Sequence, residues 1–181
     1  MAREIKSFER DYIIWQNRGF RFYLAARLCY RNGLHAAAAY CGQQALEALL
    51  KATLVYWDRK FSPEAARHCF SKLLRRLKKK VPGATGQEVP QYFYWEDRFQ
   101  LTSRYPTKAG SILVPASFLA DLDTAFFELA VLVPFQFNSE LKHLLSAPDS
   151  PKRRILTREN RCSRKLQGFL KVIRKFPHGA A

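Results

Sequence analysis

Apolar positions recur at helical spacing along most of the chain. Trp15, Phe20, Tyr23, Leu24 and Leu28, with Arg18, Arg21, Arg27 and Arg31 distributed among them, predict an amphipathic helix over residues 15–31, ending at the stop signal Asn32-Gly33. A second, longer pattern runs from Leu34 to Trp57. In it Ala38, Cys41, Ala45, Ala48 and Ala52 form a stripe of small side chains three or four positions apart, while Leu46, Leu49, Leu50 and Leu54 lie on other faces. Small residues let a neighbouring helix approach closely, so this helix is expected to be packed on more than one side.

Ser62-Pro63-Glu64 reads as the opening of a third helix, since Ser caps free amides, Pro suits the first helical position and Glu suits the positive end of the dipole. That helix is expected to run to about Lys80, with Phe70, Leu73, Leu74 and Leu77 on one side and Arg67, Lys72, Arg75, Arg76, Lys79 and Lys80 on the other. Residues 81–88 contain Pro82-Gly83 and Gly86 and read as a loop. The aromatic run Tyr92, Phe93, Tyr94, Trp95 and Phe99 fits a fourth helix that stops near Arg104, because Pro106 pushes Tyr105 out of helical dihedrals. A fifth pattern spans 117–132, with Leu119, Leu122, Phe126 and Leu129 in register. Ala147 to Pro151 reads as a boundary. Beyond it Leu166, Phe169, Leu170, Ile173 and Phe176 predict a basic amphipathic tail helix.

Composition adds a direction to this all-α outline. The 181 residues hold 31 Lys+Arg against 15 Asp+Glu, a formal net charge of +16, with 48% hydrophobic residues. A chain of that make-up can bury a core, which excludes a disordered polycation. The excess is uneven: residues 1–150 carry net +7 and residues 151–181 net +9. Polyanions are therefore the expected partners, either nucleic acid, nucleotides or an anionic membrane surface. Cys29, Cys41, Cys69 and Cys162 lack both C-x-x-C pairing and zinc-site spacing, and are expected as small buried hydrophobes in a reducing cytoplasm, with no metal and no cofactor. No signal peptide and no transmembrane segment is expected, because charges interrupt each apolar stretch.

Three pieces of the chain, in order, resemble the HEPN domain family. They are the segment from Ala37 to Ala52, which contains Gln44-Ala45-Leu46-Glu47 and Lys51-Ala52, then His68 opening a Leu-Leu-containing helix, and then Ser103-Arg104-Tyr105-Pro106. The resemblance spans residues 15–130. It implies an up-and-down bundle of four or five helices over residues 1–146, followed by a basic linker and amphipathic helix over 147–181. It also implies homodimerisation and a minimal nucleotidyltransferase as protein partner. Ribonucleases of this family carry an Arg followed by four to six residues and a His, and none of the four histidines of this chain has an Arg at that distance before it. The nuclease chemistry is therefore not carried over.

The expected role is a non-catalytic module that binds nucleotides or nucleic acid. Arg104 and Tyr105 offer a guanidinium and a phenol for a phosphate and a base. Arg67 and His68 are candidates for the same site. Glu47 and Lys51 form an i, i+4 pair that is a surface ion pair unless it lies in the bundle interior or at a dimer seam. Arg75, Arg76, Lys78, Lys79 and Lys80, and in the tail Lys152, Arg153 and Arg154, are the densest cationic runs and the expected polyanion footprint. Two competing readings stand beside this one: a HEPN-type ribonuclease or toxin using a non-standard residue set, and a membrane-surface protein acting through its tail helix.

Overall fold

The computed structural model of the chain describes residues 2–66, 70–81, 84, 114–133, 151–160 and 162, with backbone alone for 2–10 and Lys152. Among these residues the protein is all-α, with α1 (Ala2–Arg31), α2 (His35–Trp57), α3 (Phe70–Lys80), α4 (Phe118–Ala130) and α5 (Pro151–Thr157). The expected aromatic helix and the tail helix over 166–176 lie outside the described residues.

The α1–α2 hairpin is the centre of the bundle. α1 stops where the sequence says it should, because Gly33 adopts φ +73°, a left-handed conformation that only glycine takes without strain. The Gly33 amide then donates to the Tyr30 carbonyl at 3.1 Å and the Leu34 amide to that of Cys29 at 2.9 Å. This pair of bonds is a Schellman motif, which satisfies carbonyls that the helix end would otherwise leave open. The two helices run antiparallel, with Tyr12 against Tyr56 at 5.2 Å near one end and Tyr30 against His35 at 5.0 Å near the other.

The small stripe of α2 serves this hairpin. Ala38, Ala45, Ala48 and Ala52 are all buried within the chain. A methyl added at Gly19 of α1 would sit 3.1 Å from the Ala45 carbonyl oxygen, a measure of how closely the backbones approach. On another face of α2, Gly42 makes room for Phe118 of α4, whose Cζ would lie 2.9 Å from an added Cβ. The stripe is thus used inside the chain, and α2 is packed on more than one side as expected. Cys29 and Cys41 meet across the same hairpin. Burial, and then the neighbouring Cys29, push the Cys41 thiol up to about 11, so it stays protonated at neutral pH and packs as a small hydrophobe.

The apolar face of α1 follows the expected one through Phe20, Tyr23 and Leu24 and departs from it at the C-terminal end. Leu28, placed in the stripe by its spacing, is 46% exposed, whereas Arg27 is fully buried. Arg27 takes the core position because it has partners there. Its Nη1 donates to Oδ1 of Asp123 on α4, its Nε to the Ile155 carbonyl at 2.9 Å and its Nη2 to the Arg158 carbonyl at 2.7 Å. Tyr23, one turn earlier, donates its hydroxyl to the same Asp123 oxygen at 2.6 Å and accepts from Asn160 Nδ2 at 2.9 Å. Burial, followed by the charge of Asp123, holds the Tyr23 phenol well above its usual range, so it remains a donor. Around this network Tyr23 stacks on Phe126 at 4.1 Å, and Phe20 and Phe127 close the cluster.

The same bonds decide the place of residues 151–160. The sequence reading sets everything after residue 146 apart from the bundle, yet Leu156 is fully buried and Asn160 nearly so. Arg31 adds a further bond to the Arg158 carbonyl at 2.8 Å. Two guanidinium groups at the C-terminal end of α5 suit its dipole and its open carbonyls, so this segment is held by α1. Glu159, which follows, sits at φ +55°.

The third helix starts later than expected. Ser62 does cap, its Oγ accepting from the Ala65 amide at 3.3 Å, but the structure it caps is a turn over 63–66, and the α-helix is Phe70–Lys80.

Replacing Arg27 by Met leaves the Asp123 carboxylate buried without its cation, and the expected cost is about 3–5 kcal/mol of unfolding free energy, read by urea denaturation. Adding Asp123→Leu should return part of that loss. The remainder reflects the bonds that Arg27 gave to the Ile155 carbonyl and to that of Arg158, which keeps only Arg31.

Candidate functional site: a cationic face on the third helix

The candidate residues do not converge on a single described cleft. Arg67, His68, Arg104 and Tyr105 lie outside the described residues. Glu47 and Lys51 occupy one buried face of α2, with side-chain exposures of only 4% and 3% and an Nζ–Oε1 distance of 2.9 Å. The Lys51 ammonium also lies 4.7 Å from the centre of the Trp15 ring. This is an interior ion pair completed by a cation–π contact, rather than the surface pair that i, i+4 spacing ordinarily gives. Gln43, one turn before Glu47, is buried as well, and neither of its amide atoms has a hydrogen-bond partner among the described residues.

The exposed candidates are on α3. Its sequence, FSKLLRRLKKK, contains no acidic residue. Phe70, Leu73, Leu74 and Leu77 are buried against the core, and this fixes the rotation of the helix. That rotation leaves Lys72, Arg75, Lys78, Lys79 and Lys80 exposed. Lys72, Arg75 and Lys79 follow one another at i, i+3 and i+7, a line of positive charge about 10 Å long at about 1.5 Å per residue. None of these five cations forms an ion pair among the described residues.

Arg76 differs from its neighbours. Its Nε and Nη2 both donate to Asp58 Oδ2, at 3.0 and 2.7 Å, and its guanidinium lies 5.0 Å from the Phe61 ring centre. Asp58 is the residue that ends α2: its amide donates to the Leu54 carbonyl and its Oδ1 accepts from the Lys60 amide at 3.2 Å. Arg76 therefore ties α3 to the end of α2 through a turn. It was grouped by sequence with the polyanion footprint, but its charge is already spoken for by Asp58. The bonds from Arg76 hold the Asp58 carboxyl below its usual range, with the Lys60 amide and the charges of Arg76 and Lys80 acting in the same direction.

On α5, Arg154 is exposed and Arg153 is partly buried. No helix among the described residues is long and apolar enough to cross a membrane.

The Arg27–Asp123 network is the polar feature that charge counting missed. Its signal was present in register. Asp123 falls four residues after Leu119 and three before Phe126, and Arg27 four after Tyr23 and three after Leu24, so each lies inside an apolar face. A charge at such a position needs an opposite charge from another helix.

The ion pair of Asp58 gives a pH prediction. Because the folded carboxyl titrates below its unfolded value of about 3.9, its contribution is complete above that value and is lost as pH falls through the folded one. Arg76→Gln should lower the melting temperature at pH 7, and the gap from the parent chain should narrow at pH 2.5. Arg75→Gln, with no such partner, should leave the melting temperature unchanged at both.

A family model described as HEPN domain matches residues 12–116 of the chain. No curated protein and no solved structure matches it.

Proposed function

The chain belongs to the HEPN domain family, and from that premise we propose that it is a non-catalytic HEPN module that binds nucleic acid through the exposed cationic face of α3. The observation that carries this reading is the separation of roles on that helix. Its apolar side is spent on the core and Arg76 on Asp58, while Lys72, Arg75, Lys78, Lys79 and Lys80 stand exposed and form no ion pair among the described residues. Cations left unpaired along a line about 10 Å long match a charged backbone with regularly spaced phosphates, and their binding energy comes largely from release of counterions.

The missing Arg-to-His spacing supports binding rather than cleavage. Arg104, Tyr105, Arg67 and His68 remain proposed ligand residues, for a nucleotide or for a base at the end of a strand. Glu47 and Lys51, being buried and paired, enter this reading as supports of the bundle. The family membership also supports a homodimer and a nucleotidyltransferase partner as the setting in which the module works.

Binding of the full chain to a labelled single-stranded RNA, followed over several NaCl concentrations, tests the proposal. Neutralisation of three or four phosphates gives a slope of log K against log salt of about −2 to −3, at about 0.7 per phosphate. Arg75→Gln with Lys79→Gln should make the slope shallower by about 1.4 while Arg76→Gln leaves it alone. An unchanged slope in the double variant sinks the α3 footprint. RNA that comes back cut by the parent chain, but intact with Arg104→Ala, would instead establish the ribonuclease reading.

A further inference from the structure

The turn that ends α2 carries an aromatic ring and two cations that the bundle leaves open. Trp57, the last residue of the helix, is 43% exposed. Its ring is nonetheless fixed. Nε1 donates to the Leu132 carbonyl, just past α4, at 2.8 Å, and the Tyr56 ring meets the indole at 5.5 Å with the two planes at 78°. Arg59 and Lys60 follow, both exposed, and neither side chain forms an ion pair or a hydrogen bond among the described residues. The carboxylate of this turn, Asp58, is already met by Nε and Nη2 of Arg76. That pair joins the turn to α3, and the charge of Lys80 reaches the same carboxyl. The backbone of Trp57 is about 3.8 Å from that of Asp58. The turn therefore extends the cationic face beyond the end of α3 and adds a ring to it.

We propose that the Trp57 ring is a stacking platform for an unpaired base, so that the nucleic acid held by α3 is a single strand rather than a duplex. The inference rests on the reading that α3 binds nucleic acid, and it adds the form of the strand. A single strand offers two surfaces at once, a charged backbone and the open π-faces of bases without partners. The face of α3 answers only the first. Bases in a duplex are stacked on one another, so a ring at this position gains nothing from it. What surrounds the ring selects the occupant. Val131, 57% exposed and next to Leu132, is the other open apolar residue near the ring. Two such side chains beside Arg59 and Lys60 do not make the charge-depleted apolar centre of a protein interface. A polyanion carrying flat apolar bases meets both the ring and the cations. The indole is already held by the Leu132 carbonyl and by Tyr56, so it loses little freedom when a base stacks on it.

The test uses the full-length chain and a fluorescein-labelled RNA of about 15 nucleotides, free or annealed to its complement. Anisotropy is read at a temperature where circular dichroism shows every variant folded. Trp57→Leu should bind the single strand about tenfold more weakly and the duplex as the parent does, while Trp57→Phe keeps most of the single-strand affinity. Neither Leu nor Phe can donate to the Leu132 carbonyl, so the difference between them reads the aromatic face and not the lost hydrogen bond. Both substitutions remove no phosphate contact and should leave the slope of log K against log salt as it is, whereas Arg59→Gln with Lys60→Gln should make it shallower by about 1.4. Equal binding of the Leu and Phe chains, a loss as large on the duplex as on the single strand, or an unchanged slope in the Arg59 and Lys60 variant overturns the proposal. The α3 footprint then still stands if Arg75→Gln with Lys79→Gln flattens the slope. A parent chain without salt-sensitive binding to either probe overturns the α3 reading itself, and this inference with it.

Discussion

A guanidinium fully removed from water costs several kcal/mol unless its donors are met, and the architecture around Arg27 meets them from three directions. One donor goes to a carboxylate on α4, and two go to backbone carbonyls at the end of α5 and just beyond it. Tyr23 and Asn160 extend the set, each making a bond that the others orient. The aromatic cluster of Phe20, Tyr23, Phe126 and Phe127 supplies area, and area tolerates sliding and rotation. Hydrogen bonds to a planar fork do not. The rotation of α1, the register of α4 and the seating of α5 therefore answer to one side chain.

The same chemistry sorts the positive charge of the chain into kinds. Arg27 and Lys51 are interior and paired, one with Asp123 and the other with Glu47 beneath an indole ring. Arg76 is a fastener between helices. The lysines of α3, with Arg75, stand exposed at the surface. Net charge counts all of these equally, so it names a class of partner without locating it. Burial and pairing supply the location. Two neighbouring arginines, Arg75 and Arg76, end with different duties because only one of them points at Asp58.

What the sequence made legible was whatever depends on local chemistry. The end of α1 follows from Asn32-Gly33, since a left-handed residue and a Schellman pair are properties of a few adjacent positions. The bounds of α2 follow from unbroken helical spacing. The family resemblance rested on the Ala37-to-Ala52 segment, on His68 before its Leu-Leu helix and on Ser103-Arg104-Tyr105-Pro106, and it pointed to the right fold. Long-range choices were not legible. Nothing near Arg27 says that Asp123, far along the chain, will receive it, so Leu28 was read as core in its place. Glu47 and Lys51 have the spacing of a solvent pair, and their burial, with Trp15 over the Lys51 ammonium, comes from packing between helices that the spacing does not show. Ser62 has the chemistry of a cap, and what it caps is a single turn rather than the start of α3. The alanine stripe was correctly read as a close-packing surface, but the helix that fills it belongs to the same chain.

The Arg27 network also has a direction in time. Each of the three hydrogen bonds from Arg27 goes to a residue at least 96 positions later, and the carbonyl of Arg158 is 131 positions away. While the chain is being made, α1 and α2 can pair through their small-residue faces, because a helical hairpin closes with little loop entropy. Its central cation then waits for a carboxylate and two carbonyls that are still to be synthesised. A ribosome-bound fragment that stops short of α5 holds a guanidinium without the bonds that Ile155 and Arg158 give it in the longer chain. Arrival of α5 and the residues just after it supplies those bonds, and a chain cut before them differs from one that has them in the state of a single residue.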